Sequence, residues 1–273
     1  MSYDRFMELI GDIDIVTKKD KEEFAIPIAI ANEKELIHIE FTQQCGVSLI
    51  SGFPGSGKST MIRLIIAALL KNKEQTPFEI YLADTTGYEF PEMLEKESRQ
   101  LKGTLLGLDE RNIKNFIDKL HQRFIEKMDK VVHNSLDIVG KDAELKDEPT
   151  TFVFVDDGYI MLEELSSQEY IDKIRMIITH GAICGIYLVL LSQIQGAIYR
   201  KMPLLREVVG QIIFLSPYAQ NDLLKLGNRD IIFDGYNLNG LDRFSVAIKK
   251  KNQEEMKRGK LFYITPEELK QLL

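Results

Sequence analysis

The stretch Gly46-Val47-Ser48-Leu49-Ile50-Ser51-Gly52-Phe53-Pro54-Gly55-Ser56-Gly57-Lys58-Ser59-Thr60 decides the fold. Gly46 to Ser51 reads as a short, largely apolar strand, and Lys58 to Lys71 as a helix rich in Met61, Leu64, Ile65, Ile66, Leu69 and Leu70. Between them, Gly52, Gly57, Lys58 and Ser59 satisfy the spacing G-x-x-x-x-G-K-S/T in the strand–loop–helix setting that the pattern requires. The physics is direct. Glycines let the backbone curl so that successive N–H groups point inward at phosphate oxygens, and the helix N-terminus adds its positive end. Pro54 stiffens the turn. The residues Gly52, Phe53, Pro54, Gly55, Ser56, Gly57, Lys58, Ser59 and Thr60 are thus expected to bind ATP. Lys58 would reach the β- and γ-phosphates, and the Ser59 hydroxyl would be a magnesium ligand.

Working outward, Ile26 to Ile30 and Leu36 to Phe41 flank the turn-like Ala31-Asn32-Glu33-Lys34 and read as a β-hairpin. Ahead of it lie a short amphipathic piece (Tyr3, Phe6, Leu9, Ile10) and a charged run from Lys18 to Glu23, which reads as a linker or domain edge. Residues 1–25 are therefore set apart from a domain over 26–273. Downstream, strands are expected at Phe78 to Ala83, Phe152 to Val155, Ile186 to Leu191 and Gln211 to Leu215. Helices are expected from Glu110 to about Val132 and from Tyr170 to Thr179, and Lys141 to Pro149 reads as a surface loop. Alternating strands and helices, with strands apolar on both faces, imply a mainly parallel sheet covered on both sides. Phe244 to Ile248 and Lys260 to Ile264 read as a last pair of strands around a charged loop, Lys249 to Arg258. Thr265, Pro266 and Glu268 spell a helix capping box.

A P-loop needs a second acid for magnesium, and Phe152-Val153-Phe154-Val155-Asp156-Asp157 supplies one at a strand tip. Asp156 is expected to hold the metal through its water shell, and Asp157 to orient or deprotonate the attacking water. Gln193 and Asp84 close two further strands, where ligands of open α/β sheets lie. Gln193 is placed to sense the γ-phosphate. His38, His121, His133 and His180 form no ligand cluster, and Cys45 and Cys184 read as buried thiols of a reducing compartment.

The bulk numbers agree with an ordinary globular domain. The 273 residues are 44% hydrophobic and 28% charged, with a net charge of −7. The pI of about 5.3 argues against a free-standing nucleic-acid binder, which needs clustered Lys and Arg. No apolar run is long enough to span a bilayer and the N-terminus lacks a signal peptide's layout, so the chain as it stands reads as cytoplasmic.

Several features together resemble the FtsK/SpoIIIE family of motor ATPases: the hairpin before the P-loop, the long gap to Asp156, and the segment Gly181 to Gln193. That segment is similar to the family's R-x-x-G-I-H-L stretch, which runs on through an apolar strand to a glutamine; Gly185, Ile186, Leu188 and Gln193 match. Leu204-Leu205 and the strand Gln211 to Leu215 resemble the family's continuation. The family's arginine is absent, since Ala182 stands in its place, and no arginine finger is assigned. Asp84-Thr85-Thr86-Gly87 looks like the D-F-G-T-x-G of the later domains of type VII secretion ATPases (EssC/EccC type), and Asp156-Asp157 departs from the Asp-Glu of the DNA pumps.

The resemblance implies a RecA-like P-loop fold with a small N-terminal β-hairpin extension. It implies an ATP-binding, weakly hydrolysing module of a type VII protein secretion motor. The partners it implies are a secreted protein, other ATPase domains of the same motor and a hexameric ring; a longer anchored protein would bring the module to a membrane. Two alternatives stand beside it: a DNA-translocating ATPase, and a regulatory ATP-binding domain without useful hydrolysis.

Overall fold

The computed structural model describes residues 3–12, 17–18, 21–22, 24–32, 35–73, 77–95, 98–136, 148–193, 195–215, 232–233, 236–238, 241 and 244–273. The expected loop at Lys141 to Pro149 and the turn at Glu33-Lys34 lie largely outside these residues. In chain order the elements are α1 (Tyr3–Asp12), β1 (Thr17–Lys18), β2 (Lys21–Glu22), β3 (Phe24–Ala31), β4 (Glu35–Phe41), β5 (Val47–Ser51), α2 (Lys58–Lys71), β6 (Phe78–Asp84), α3 (Pro91–Glu95), β7 (Leu101–Leu106) and α4 (Glu110–Leu136). There follow β8 (Thr150–Val155), α5 (Gly158–Glu163), α6 (Gln168–His180), a 3-10 turn at Gly181–Cys184, β9 (Ile186–Ser192), α7 (Gln195–Lys201), α8 (Leu205–Val208) and β10 (Val209–Leu215). The chain closes with β11 (Ile232–Phe233), β12 (Tyr236–Asn237), β13 (Ser245–Lys250), β14 (Lys257–Leu261) and α9 (Pro266–Leu272).

Ten strands make one sheet in the order β4-β3-β14-β13-β10-β5-β9-β8-β6-β7. The six from β10 to β7 run parallel, and the four from β4 to β13 are antiparallel. The N-terminal hairpin is present as β3–β4, and β14 joins it to the main sheet as a continuous edge. The charged run near Lys18 contains a small hairpin of its own, β1 against β2.

Period-two alternation sorts the central strands onto two cores. Phe152, Phe154, Tyr187, Val189 and Leu191 face one side, with α2; Val153, Val155, Ile186, Leu188 and Leu190 face the other, with α4 and α6. On the first side Phe24 and Phe41 of the hairpin pack against Phe152, with ring centroids 5.5 Å and 5.0 Å apart. Every residue of α2 from Met61 to Leu70 is buried, because α1 and α9 cover the face of that helix turned away from the sheet. Phe6 of α1, fully buried against Phe262, is part of that cover. The capping box of α9 forms as expected: Glu268 N–H donates to Thr265 Oγ1 at 3.2 Å, and Thr265 N–H to Glu268 Oε2 at 2.7 Å.

β7 is a strand with no counterpart among the expected elements. Its exposed Lys102 and Thr104 alternate with Gly103, which leaves little apolar signal. The final strands fall at 245–250 and 257–261, so the second begins within the stretch expected to be loop.

Candidate nucleotide site

Parallel register brings the chemistry to one end of the sheet. Ser51, the last residue of β5, pairs with Phe214 on one side and Ser192 on the other. The amide of Asp156 donates to Ala83 O at 2.9 Å, which sets the tip of β8 beside the tip of β6. Gly52 to Gly57 therefore leaves the sheet with β10 on one flank and β9, then the acid-tipped strands β8 and β6, on the other.

The loop has the shape its glycines predict. Gly55 and Gly57 sit at φ 77° and 102°, in left-handed conformations that any side chain would strain, and Gly57 is the N-cap of α2. Lys58 folds back over the loop, its Nζ donating to Gly52 O at 2.9 Å and Phe53 O at 3.2 Å. The Ser56 hydroxyl is buried without a hydrogen-bond partner. An orphaned buried hydroxyl inside a glycine cradle fits a loop built to take polar ligand atoms. Ser59 and Thr60 occupy the first turn of α2 and are half-buried, whereas Phe53, Pro54 and Gly55 are exposed.

Opposite the lysine stand three carboxylates. Burial pushes the Asp156 carboxyl up to about 7, reinforced by Glu89, Asp84 and Asp157 and opposed by Lys58. Burial also raises Asp157, against the pull of Lys58 and Gln193, and lowers Lys58, against the pull of Asp156, Asp157 and Glu89. Asp157 caps α5 in a left-handed conformation, φ 51°, and accepts a hydrogen bond from Gln193 Nε2 at 3.3 Å. The structure thus brings Lys58, Asp156, Asp157 and Gln193 to one place. A divalent cation fits this set by its donor chemistry, since hard cations take hydroxyl and carboxylate oxygens. Ser59 and Asp156 are the residues that would hold it.

Asp84 has a different task. Its carboxylate is fully buried and accepts from the amides of Thr86, Gly87, Glu89 and Phe90 and from the Thr86 hydroxyl. It organises the loop after β6 and has no oxygen to spare for a ligand. Arg63 of α2 braces the same loop through a buried ion pair with Glu92 at 2.7 Å, a hydrogen bond to Glu89 O, and a cation–π contact with Phe90 at 5.2 Å. Glu89, which the sequence reading missed, is thereby held beside Lys58 and Asp156; its only sequence signal was a place five residues beyond the strand-ending Asp84.

The two cysteines are buried, and burial lifts the Cys184 thiol to about 11, far from reactive. Among the described residues no His, Cys, Asp and Glu cluster forms a metal site of its own, and no helix is long and apolar enough to cross a membrane.

No protein-family model and no curated protein matches the sequence. Solved structures do. The chain is similar to the cytoplasmic domain of the Thermomonospora curvata type VII secretion ATPase EccC, with a TM-score of 0.70 at 16% identity over 97% of this chain and 32% of that one. It is similar to ATPases 2 and 3 of EssC from Geobacillus thermodenitrificans, with a TM-score of 0.67 at 14% identity over 95% of this chain and 50% of that one. The pCW3 conjugation coupling protein TcpA follows at 0.62 and 15% identity, over 96% and 75%. The chain spans about a third of the first protein and half of the second. Its fold is that of a RecA-like P-loop ATPase domain, shared with secretion and conjugation proteins alike.

Proposed function

We propose that this chain is an ATP-binding, slowly hydrolysing module of a type VII protein secretion motor. The observation that carries the nucleotide reading is the P-loop itself: a lysine folded over a glycine cradle, facing Asp156 and Asp157, with the Ser56 hydroxyl left without a partner. Lys58 would bind the β- and γ-phosphates and Ser59 and Asp156 would hold magnesium, whose chemistry is to neutralise charge between those phosphates. Asp157 would accept a proton from the attacking water while Gln193 orients its carboxylate and reads the γ-phosphate.

The secretion reading is supported by the likeness to EccC and EssC, by the acidic balance of the chain, and by aspartate at position 157. A secreted protein, sister ATPase domains and a ring of subunits would be the partners. The likeness to TcpA favours a second reading, a DNA-translocating ATPase.

The test is a calorimetric titration of ATP with magnesium against the parent chain and Lys58→Ala. Charge-assisted contacts of this kind are worth roughly 1.5–3 kcal/mol, so Lys58→Ala should weaken binding at least about tenfold. Unchanged affinity would remove the P-loop as the site.

A further inference from the structure

On the flank of the P-loop away from the acids, two aromatic rings stand at the surface. Phe244 and Tyr263 are 41% and 45% exposed, and their rings meet edge to face with centroids 6.3 Å apart. Register fixes where they are. Leu215, the last residue of β10, pairs with Val246, so Phe244 lies just beyond the tip of β10, at the same end of the sheet as the P-loop. Leu261 N–H donates to Phe244 O at 2.8 Å, which ties the end of β14 to the same place. Both strand ends border the loop: a Cβ on Gly52 would come within 2.9 Å of Leu215 Cβ, and one on Gly57 within 3.3 Å of Leu261 Cδ2.

Phe244 also has φ 69°, a left-handed conformation that a bulky residue holds only where its surroundings fix it.

The direction of a bound triphosphate follows from the acids. Asp156, Asp157 and Gln193 all lie on the β9–β8 side of the P-loop, so a γ-phosphate would point that way. The nucleoside would leave the loop on the opposite flank, toward β10, β13 and β14. We propose that Phe244 and Tyr263 form the platform on which the base of the bound nucleotide stacks, a purine ring lying on one aromatic face and against the edge of the other. The inference rests on the nucleotide reading above and adds the residues that hold the base.

The experiment compares ATP with inorganic tripolyphosphate, each with magnesium, by calorimetry on the full chain. In the parent, both should bind and both should require Lys58. Stacking is tolerant of base identity and commonly contributes about tenfold or more in affinity. Phe244→Gly and Tyr263→Ala should therefore each weaken ATP about tenfold and leave tripolyphosphate unchanged, whereas Tyr263→Phe should retain ATP affinity. Glycine accepts the left-handed backbone, so Phe244→Gly should keep the parent's thermal stability, which separates lost stacking from lost folding. The chain contains no tryptophan, so Tyr263→Trp adds a lone reporter; its emission should change with ATP and not with tripolyphosphate. Equal weakening of both ligands, or of neither, would overturn the platform while leaving the P-loop reading intact. Failure of the parent chain to bind either ligand would overturn both.

Discussion

Asp156 carries the sharpest consequence at the scale of single residues. Its carboxyl stands at about 7 in the folded chain against an ordinary 3.8, chiefly through burial. Between those values the fold retains a proton that the unfolded chain has released, so stability falls as pH rises across the interval. Asp156→Asn should abolish that slope and raise the stability of the nucleotide-free protein at pH 8, on the order of 3 kcal/mol, in denaturant unfolding at pH 5 and pH 8. Affinity for magnesium-ATP should move the other way, falling as pH drops through about 7, because the proton competes with the cation. Asp157 bears on the rate of hydrolysis. Its side chain is one methylene shorter than glutamate, which places its carboxylate up to about 1.5 Å short of a water that a glutamate would reach. Misplacement on that scale can cost on the order of 100-fold in rate. Steady-state phosphate release should accordingly be slow in the parent, faster in Asp157→Glu and absent in Asp157→Asn, with ATP affinity retained throughout. Fast turnover indifferent to Asp157→Asn would send the search for a base to Glu89, which shares the same electrostatic field.

The element beside them that holds Glu89 is the loop between β6 and α3, and its architecture could not be read from the chain. The strand ending at Asp84 was legible, since Phe78 to Ala83 is apolar but for Glu79 and buried throughout. The fate of the Asp84 carboxylate was not, because four amides converge on it only after the loop has closed. Arg63–Glu92 was hidden for a related reason: an arginine inside an apolar helix signals nothing until its partner, 29 residues on, is seen beside it. β7 escaped because its leucines, Leu101, Leu105 and Leu106, fall at no regular spacing around Gly103 and the exposed Lys102 and Thr104. By contrast the shape of the P-loop, the strand end at Asp156 and the α9 capping box depend on spacing within a few residues, and that geometry was legible. The bracing makes a prediction of its own. Asp84→Ala should strand buried amides and destabilise the chain by about 3 kcal/mol, given roughly 1.5–3 kcal/mol for each hydrogen bond to a charged group and partial recovery by water. Thermal unfolding measures this directly. If Asp84 were a metal or phosphate ligand instead, ATP affinity would collapse while stability held.

At the scale of the whole molecule, charge distribution bears on the two readings proposed above, a secretion module and a DNA-translocating one. The chain carries 42 acidic against 35 basic residues. Several of the cations are already engaged in ion pairs: Arg63 with Glu92, Arg123 with Glu79 and Glu148, Lys173 with Asp118 and Glu169, Lys250 with Glu40, and Lys257 with Glu35. A cation satisfied by a neighbouring carboxylate releases no counterion when DNA approaches, so it adds little to affinity. The antiparallel end of the sheet illustrates this. The stretch Lys249 to Arg258 is rich in positive charge in sequence, yet Lys249 turns inward onto the carbonyls of its own turn and Lys250 and Lys257 pair across to β4. DNA binding should therefore be weak at low salt and lost near 150 mM, with a shallow dependence of log affinity on log salt. Double-stranded DNA should leave phosphate release unchanged, whereas a protein substrate of a type VII system should change it. Both are read in the same steady-state assay, with fluorescence anisotropy of a labelled duplex across a salt series. Tight binding with a slope near that of six or more released counterions, about −5 or steeper, would require a face of unpaired cations built across several copies of the chain. DNA-stimulated turnover accompanying that slope would transfer the assignment to the conjugation-type motors whose fold this chain also shares.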